Sequence, residues 1–506
     1  MKAHLVGGGI ASLAAAAHLI KDGNVLGGNI HVYEAGDGIG GCLRDYGDAE
    51  HGYVIPVGRV FEKQYRCTRE LLSFIPSVSD PSRSVWDEME EFHERAGWHN
   101  KTRLVGAGGR VIDASDFGLT LVDKLAMTRL LLTPEALLEG LRIDEWFSPA
   151  MFTSNFWYMW VPVMGSLPQH SLLEMKRFLN RFLHLLPDFA AMTMIYRTRY
   201  HQDQAIRQPL QEWLVRQGVT FHVNATVKDV DFVPSLDQIT AQGLVVDMAG
   251  TDETIEVARD DIVLVTNGSQ VGDVNVGSNH SAPSLHMTGN AWRLWERLSR
   301  GRRDFGDPHV FFGKPEDSLW GLFTVTTGDP TFLDRFAAFT GQPTGRQGLV
   351  TLVDSNWLLT IVTFHQPHFR EQPEGVQIWW GYGVYPDRVG NFVAKPMREC
   401  SGAEILREVL GHLAFDSDAE DIVATSNCIP CLVPEANALW AVRRRADRPL
   451  AVPAGSTNFG FIGQFCEVAD DVVFTMEYSV RSAREAVTKL LCLDREPPAP
   501  YQGLHD

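Results

Sequence analysis

The chain has 506 residues, of which 44% are hydrophobic and 21% charged, so wholesale disorder is excluded. Its length predicts about two to four domains or one large composite fold. The 45 Lys and Arg residues against 63 Asp and Glu residues give a formal net charge of −18, so the chain should be a poor general binder of nucleic acid or anionic lipid. A local basic patch stays open, such as the run Arg443-Arg444-Arg445, which reads equally as a solvated helix end.

The seven cysteines show no disulfide-type spacing, which indicates a reducing compartment. Cys428 and Cys431 form a lone CxxC, for which a redox or metal role stays open beside simple packing; no metal site is predicted. Met1 leads straight into an apolar strand, and no run of 18 uncharged apolar residues occurs. We therefore expect a cytoplasmic protein without an integral membrane segment. A transient membrane contact and a dimer with itself or a related subunit stay open.

The N-terminus predicts a strand over residues 3–6, a helix over 11–21 and a strand over 29–33, which together form a βαβ unit. The turn between the first strand and the helix reads Gly7-Gly8-Gly9-Ile10-Ala11-Ser12. Gly7 permits the tight turn, and Gly9 lets the backbone approach a pyrophosphate at the helix N-terminus. Ser12 replaces the usual third glycine of this dinucleotide motif with another small residue.

Glu34 ends the second predicted strand, where a carboxylate can accept a hydrogen bond from a ribose hydroxyl. A glycine pair, Gly40-Gly41, follows within a few residues, as is common in FAD proteins of the glutathione-reductase type. The pattern predicts a dinucleotide site. Glycine-rich turns without a nucleotide are the alternative.

Further along, residues 219–265 are rich in strands, with a predicted hairpin of 220–223 and 226–232 and a strand over 261–265. Residues 120–195 read as helical and aromatic, and residues 290–440 mix strands, such as 348–352 and 357–363, with Pro-rich loops. Residues 451–491 begin with a strand, turn at Gly463 and close with a helix from about residue 475.

We predict an α/β fold with a discontinuous Rossmann-like FAD-binding domain of the glutathione-reductase type, interrupted by an α+β substrate domain. Independent domains are the alternative, but the N-terminal βαβ unit alone is too small for a stable sheet. The predicted pieces are 1–115, 201–290 and 443–506 for the FAD-binding domain, 116–200 for a helical substrate-side insertion and 291–442 for the substrate domain.

The C-terminal segment favours FAD over NAD as the cofactor. A late strand, the turn Gly463-Gln464-Phe465-Cys466-Glu467 and a helix beginning near Thr475 would place a helix N-terminus beside the flavin ring. The helix dipole would stabilise negative charge on a reduced flavin. A plain C-terminal helix that packs on the domain is the alternative.

Many short motifs, in order along nearly the whole chain, resemble the oleate hydratases, also called myosin-cross-reactive antigens. The matching segments are residues 9–17, 21–23, 75–77, 85–88, 154–157, 170–171, 174–175, 265–269, 372–374, 395–396, 399–402, 447–449 and 474–481. The resemblance implies a flavin-binding fold, a channel for a long-chain unsaturated fatty acid, and addition of water across a cis double bond with FAD mainly structural.

The motif and the resemblance together predict a set of residues that contact FAD. These are Gly7, Gly9, Ala11, Ser12, Glu34, Gly40, Gly41, Cys42, Arg59, Val60, Asn267, Gly463, Phe465, Glu467 and Thr475.

Two departures from the family pattern bear on the chemistry. In the loop where the family has a glutamate that is thought to activate water, this chain has Val60. Where the family has a tyrosine that is thought to protonate the alkene, this chain has Phe178. Neither side chain can transfer a proton, so both partners of the acid–base pair are missing.

Four residues are candidates to replace the missing pair: Glu62, Tyr65, Tyr200 and His201. Three of them have an ordinary structural alternative: Glu62 as a surface or loop-orienting carboxylate, and Tyr200 and His201 as helix or loop packing. An aromatic and methionine stripe at near-helical spacing is either ordinary core or the lining of an apolar ligand site. Its members are Phe152, Phe156, Trp157, Trp160, Met164, Met175 and Phe178.

Three functions stay open from the sequence. The first is an oleate-hydratase-family enzyme, a hydro-lyase with relocated acid and base, that acts on a carbon–carbon double bond of a fatty acid or similar apolar lipid. The second is a flavin oxidoreductase or double-bond isomerase that acts on an apolar alkene such as an isoprenoid, with FAD as the chemical agent. The third is a non-catalytic binder of flavin and lipid. In each, the small-molecule partner is apolar and unsaturated.

Overall fold

A computed structural model describes residues 1–235 and 237–503. Residue 236, inside the predicted piece 201–290, and residues 504–506, at the end of the predicted piece 443–506, lie outside the described residues.

The described chain forms thirteen α-helices and twenty strands. The helices are α1 Ile10–Lys21, α2 Arg66–Ser73, α3 Val85–Ala96, α4 Leu121–Leu132, α5 Asn155–Met164, α6 Leu172–Phe182, α7 Gln208–Arg216, α8 Arg293–Ser299, α9 Pro315–Ser318, α10 Thr331–Thr340, α11 Gly402–Leu413, α12 Ala419–Thr425 and α13 Met476–Leu490. The strands are β1 Ala3–Val6, β2 Ile30–Tyr33, β3 Tyr46–Asp48, β4 Gly52–Val54, β5 Phe61–Glu62, β6 Leu104–Gly106, β7 Arg110–Ile112, β8 Ile195–Tyr196, β9 Thr220–His222, β10 Ala225–Phe232, β11 Ala241–Met248, β12 Thr251–Glu256, β13 Ile262–Thr266, β14 Asn275–Val276, β15 Trp320–Thr327, β16 Leu349–Leu352, β17 Leu359–Thr363, β18 Gln377–Gly383, β19 Ser426–Val433 and β20 Phe459–Ile462.

A five-stranded parallel sheet in the order β20-β13-β1-β2-β9 forms the nucleotide-type layer. Its strands come from the three separated segments that were predicted to assemble one domain. Helices α1 and α13 pack on each other beside this sheet. The four residues of β1 are all buried, as a parallel sheet with both faces covered requires. The Rossmann-like α/β prediction is confirmed.

The predicted hairpin of residues 220–223 and 226–232 is wrong. Strand β9 joins the parallel sheet beside β2, and β10 instead pairs with β11 in a separate three-stranded antiparallel sheet that β12 completes. The two strands follow one another closely in sequence, but the backbone of Glu34 and Tyr33 offers β9 its partner at the sheet edge.

The second large sheet has eight strands in the order β14-β19-β15-β18-β17-β16-β6-β7. Strands β6 and β7 lie inside the segment 1–115 that was assigned to the FAD-binding domain, yet β6 pairs with β16 at the edge of this second sheet. Strand β14, from the segment 201–290, also joins it through β19. The eight-stranded sheet therefore draws on more of the chain than residues 291–442.

Candidate functional site

The glycine-rich turn after β1 has the geometry that a pyrophosphate needs. Gly7 has φ +94°, and a Cβ added there would lie 3.1 Å from Thr266 Cβ, so the turn requires glycine. Gly9 caps α1, and a Cβ added there would meet no atom within 4 Å. Ala11 and Ser12 follow in the buried first turn, with Ser12 Oγ 3.3 Å from Thr266 Oγ1. Open space beside Gly9 at a helix N-terminus fits a diphosphate.

Glu34 ties the end of β2 to this turn. Its Oε2 accepts a hydrogen bond of 2.7 Å from the Gly8 amide, and its Oε1 accepts one of 2.7 Å from the Gly36 amide. Each carboxylate oxygen has two lone pairs, so one remains on each for a ribose hydroxyl. The predicted strand-end acid is therefore held in place by backbone donors.

The second glycine pair lies against the first turn. The Gly40 amide donates to the Gly8 carbonyl over 2.9 Å, and a Cβ on Gly41 would lie 3.3 Å from Gly9 Cα. Both glycines have positive φ, +135° for Gly40 and +52° for Gly41, so a larger residue would be strained at either position. Cys42 follows in the same short helical turn. These residues border the space beside Gly9.

Asn267 follows β13 at the carboxyl edge of the parallel sheet, where ligands of open α/β sheets bind. It is 1% exposed, and neither its Oδ1 nor its Nδ2 has a hydrogen-bond partner within the described residues. A buried amide without partners is costly, and hydroxyl or phosphate groups of a dinucleotide would satisfy it. Gly463 ends β20 at the same edge, with φ +96°.

Arg59 connects the loop of residues 57–60 to the N-terminus of α13. Its Nη1 donates to the Phe474 carbonyl over 3.0 Å, and its Nη2 donates to Gln270 Oε1 over 2.9 Å. The guanidinium also lies 5.1 Å from the centre of the Phe474 ring. Thr475 caps the helix by accepting a hydrogen bond from the Tyr478 amide. Arg59, Gln270, Phe474 and Thr475 together form one wall of a cavity.

The cavity is lined on one side by strands β15 to β19 of the eight-stranded sheet, and its empty space, with open solvent at the mouth included, is about 1490 Å³. Val60 and Phe178 both line it, as do Arg59, Glu62, Tyr65, His201, Gln270 and Thr475. Most of the remaining wall is apolar: Ile55, Pro56, Val57, Phe61, Trp98, Pro162, Val163, Met164, Phe182, Leu185, Ile195, Trp320, Leu322, Leu349, Val362, Phe364, Trp380, Tyr382, Val433, Ala436 and Phe474. Val60 and Phe178, the positions at which the resemblance implies a general base and a general acid, therefore face one space.

The stripe of aromatic and methionine residues divides between core and cavity. Phe156, Trp157, Trp160 and Met175 are buried in the main core and do not line the cavity. Met164 and Phe178 do line it, and Phe178 packs its ring 4.5 Å from that of Trp440. Both interpretations of the stripe hold, each for part of it.

Glu62 and Tyr65 lie at the cavity wall but in a tight ionic setting. Glu62 is 3% exposed and pairs with Arg181 Nη1 at 2.6 Å and with His184 Nε2 at 2.9 Å. Burial and the nearby Glu62 raise the pKa of Tyr65 well above its usual range, so its hydroxyl holds its proton firmly. Arg181 and His184 hold Glu62, and Tyr65 is a poor acid.

His201 is the predicted catalytic candidate with a free ring nitrogen at the cavity. Its Nδ1 lies 2.9 Å from Asp45 Oδ2 and 3.3 Å from the Asp203 amide nitrogen, and its Nε2 has no partner in the described chain. Tyr200 is not among the cavity-lining residues; its ring lies between the guanidinium groups of Arg199, at 5.0 Å, and Arg370, at 5.2 Å. The structure thus separates two candidates that are adjacent in sequence.

The polar end of the cavity contains four residues that were not predicted: Arg197, Gln202, His365 and His368. Atoms of each lack a partner in the described chain, among them Arg197 Nη1, Gln202 Oε1 and His368 Nε2. Burial, and secondarily Arg346, lowers the pKa of Arg197 to about 9, and burial lowers the pKa of His368 well below its ordinary value. No local sequence motif predicts these polar residues, because they come from two segments that are more than 160 residues apart in the chain.

Glu467 and Phe465, which were predicted to contact the cofactor, serve other contacts. Glu467 pairs with Arg177 at 2.7 Å and with Arg443 at 3.0 Å in a buried ion cluster. Glu174 belongs to this cluster: burial alone would raise its pKa, but Arg443 and neighbouring arginines lower the pKa to about 2. Phe465 packs against Trp292. The contact of Glu467 and Phe465 with the cofactor stays a prediction.

Cys428 and Cys431 lie on strand β19 and are free, as are the other five cysteines. Residues three apart on a strand are too far from one another for a disulfide, so packing explains this CxxC. Among the described residues, no group of three or more His, Cys, Asp and Glu side chains is arranged to hold a metal ion. No helix in the described part of the chain is long and apolar enough to cross a membrane.

The chain is similar in sequence to a known protein family and to two curated proteins. The sequence matches the MCRA family over residues 1–488. It is 33% identical over 519 residues to an oleate hydratase of Streptococcus pyogenes serotype M49 (strain NZ131), covering all of this chain and 87% of that protein. It is also 33% identical over 526 residues to a linoleate hydratase of Lactiplantibacillus plantarum, covering 96% of this chain and 92% of that protein.

Two solved structures share the fold at low sequence identity. One is an oxidoreductase from Methanosarcina mazei, with TM-score 0.52 and 12% identity over 95% of this chain and 99% of that one. The other is the PF1083 protein from Pyrococcus furiosus, with TM-score 0.50 and 12% identity over 97% of both chains. At this identity the likeness concerns the fold alone.

Proposed function

Because the chain belongs to the MCRA family, the oleate hydratases, we propose that it is a FAD-binding enzyme that acts on a carbon–carbon double bond of a long-chain unsaturated fatty acid or similar apolar lipid. Its curated relatives are named as oleate and linoleate hydratases and match it over nearly their full lengths. The observation that carries the proposal is the cavity: its wall is mostly apolar, it is bounded by the Arg59 loop and the N-terminus of α13, and a small group of polar side chains lines part of it.

The residues around the glycine-rich turn fit a dinucleotide. Gly9 leaves room for the diphosphate, Glu34 presents carboxylate lone pairs, and the amide of Asn267 needs partners that the described residues do not supply. When bound, FAD would supply a polarisable ring at the cavity wall, with hydride chemistry available to it. The chain's own part is to hold that ring between the Arg59 loop and the capped end of α13 and to exclude water with apolar walls.

Proton transfer in the cavity falls to His201 in this proposal. Val60 and Phe178 carry no acidic proton, Glu62 is held by Arg181 and His184, and Tyr65 is a poor acid. His201 has Asp45 behind its Nδ1 and a free Nε2. A histidine backed by a carboxylate can take a proton from water and return one.

A second candidate function is flavin redox or isomerase chemistry on an apolar alkene such as an isoprenoid. The observation that favours it is the pairing of Val60 with Phe178 at the cavity wall, which makes the wall less polar where hydration chemistry needs an acid and a base. A substrate without a polar head would leave the polar end of the cavity solvated.

Product analysis separates the two functions. The holoenzyme is incubated anaerobically with oleate, linoleate or an isoprenoid alkene, and hydroxy acids, isomers and the flavin absorbance are measured. Hydration that falls by about 10²-fold or more in His201→Asn supports the first function. The matched control is Tyr200→Phe, which changes the neighbouring residue outside the cavity and should leave the rate unchanged.

Two results would count against this assignment. Bleaching of the flavin by the isoprenoid without any hydroxy acid from oleate would favour the second function. Hydration that is equally fast in His201→Asn and in the wild type would show that His201 is not the proton carrier.

A further inference from the structure

Helix α4 exposes large apolar side chains to solvent. Leu121 is 73% exposed, Leu125 61% and Leu132 80%; Val122 and, in the turn just after the helix, Leu137 are 63% and 67% exposed. Seventeen large hydrophobic side chains of the described residues are exposed, and these five fall within one stretch of 17 residues. Single exposed leucines are ordinary, but a cluster of this kind marks an interaction surface.

The exposed residues share one side of the helix. At about 100° per residue, Leu121, Leu125 and Leu132 project within about 40° of one another. Leu130, on the opposite side, is fully buried. The helix therefore presents apolar side chains both toward the protein and toward solvent, and an exposed apolar stripe of this size is normally covered by a partner.

The charges of α4 are arranged unevenly. Asp123, its only acidic residue, is fully buried, where it accepts hydrogen bonds from Thr120 and Ser148. Lys124 and Arg129 are both exposed, and the Arg129 guanidinium lies 4.2 Å from the centre of the Trp146 ring. The surface of α4 thus presents apolar groups and cations without an exposed carboxylate.

We propose that α4 with the turn that follows it, residues 121–137, docks on the surface of an anionic lipid bilayer. The leucine side chains would enter the boundary between headgroups and acyl chains, and Lys124 and Arg129 would lie at the level of the phosphates. The combination of an apolar face and flanking cations is the one that interfacial helices use. Helix α4 also contacts α6, and Phe178 of α6 lines the cavity. The helix that docks is therefore separated from the cavity only by α6.

Charge favours a bilayer over a second copy of the chain as the occupant. A symmetric dimer through α4 would bring the same patch of two molecules together, and with it Lys124 and Arg129 of both. Like charges at an interface oppose such pairing. The net charge of −18 also opposes general adsorption to anionic lipid, so binding should depend on this one surface.

Vesicle binding tests the proposal without any assay of activity. The holoprotein is sedimented with vesicles of phosphatidylcholine alone or with about one quarter phosphatidylglycerol, and the bound fraction is measured. The wild type should bind the anionic vesicles more strongly, and Leu125→Asp/Leu132→Asp should reduce the partition coefficient about tenfold or more. Lys124→Glu/Arg129→Glu should abolish the preference for anionic vesicles and its sensitivity to salt.

The matched control is Leu26→Asp, because Leu26 is 74% exposed outside this surface. It should bind as the wild type does, and circular dichroism with thermal unfolding verifies that every variant is folded. Equal binding by the wild type and Leu125→Asp/Leu132→Asp, or no binding by either, would overturn the proposal. A wild-type dimer in analytical ultracentrifugation that Leu125→Asp/Leu132→Asp converts to monomer would assign the surface to a second copy instead.

Discussion

Val60 and Phe178 allow the most direct test at the residue scale, because both face the cavity. The double variant Val60→Glu/Phe178→Tyr places an acid–base pair at the positions where the family resemblance implies one. We expect oleate hydration to rise by about 10²–10⁴-fold for each restored partner. Burial in an apolar wall raises the pKa of the new carboxyl group, so the activity should also shift to higher pH.

The measurement is the yield of hydroxy fatty acid from oleate, with FAD bound and reduced, for wild type and variant. Phe182 also lines the cavity, so Phe182→Tyr is a control that adds a hydroxyl at another position. Strong hydration by the wild type would show that other residues carry out the chemistry, and the substitutions at residues 60 and 178 would then not mark a change of reaction.

Single residues of the site were predictable only where a local motif defines their environment. Gly7, Gly9 and Glu34 follow from the order of strand, turn and helix, and the structure brings them together. Gln202 and His368 could not be found in this way, because they become neighbours of the cavity only through tertiary packing. The ion pairs of Glu467 with Arg177 and Arg443 could not be found either, because these partners are distant in sequence.

In the βαβ element, a substitution at Gly9 tests cofactor binding without creating a steric clash within the described protein. Gly9 has φ −78°, which any residue can adopt, and a Cβ there meets no protein atom within 4 Å. Gly9→Val should therefore fold normally and yet lose FAD, because the side chain fills the space beside the helix N-terminus. Gly28→Val is the control, since a Cβ on Gly28 also meets no atom within 4 Å.

The measurement is the ratio of bound flavin to protein after gel filtration, together with the thermal unfolding temperature of each variant. Full FAD occupancy in Gly9→Val would contradict the assignment of the diphosphate to this turn. Loss of FAD in both variants would show that the effect is not specific to Gly9.

At the scale of elements, the strands that were predicted from the sequence were better placed in their limits than in their pairing. The strands at 3–6 and 261–265 were predicted close to their observed limits, as was the helix from about residue 475. The partner of β9 was predicted wrongly, because hydrophobic alternation indicates which face of a strand is buried but not which strand lies beside it. The same limitation hid the pairing of β6 with β16.

Buried histidines should make the stability of the whole molecule fall on acidification. Burial lowers the pKa of His4 and that of His170 to about 4, from 6.5 in an unfolded chain. His170 Nδ1 accepts from the Leu167 amide and its Nε2 donates to the Asp317 carbonyl, so neither nitrogen is free to take a proton. Between these pKa values only the unfolded chain takes up the proton, so each histidine costs about 2 kcal/mol on going from pH 7 to 5.

Glu435 acts in the opposite direction. Burial, with a smaller effect of Asp273, raises its pKa to about 8 from 4.5, so its contribution to stability is greatest below pH 4.5 and is lost as the pH rises through 8. Urea unfolding at pH 5, 7 and 8 checks both effects. His170→Gln should reduce the change between pH 5 and 7 by about 2 kcal/mol, and Glu435→Gln should gain stability relative to wild type at pH 8. Parallel curves for all three proteins would contradict these assignments.

The order of strands in the parallel sheet also has a consequence for how the protein is made. Strand β1, which leads into the glycine-rich turn, lies between β2 and β13, and β20 closes the edge beside β13. A ribosome has synthesised more than 450 residues before β20 exists. Strand β13 closes the free edge of β1 near the middle of the chain, and its own outer edge then stays unpaired until β20 has been synthesised. An unpaired strand edge is a site at which nascent chains aggregate. Chaperone dependence should therefore be greatest between the synthesis of β13 and that of β20.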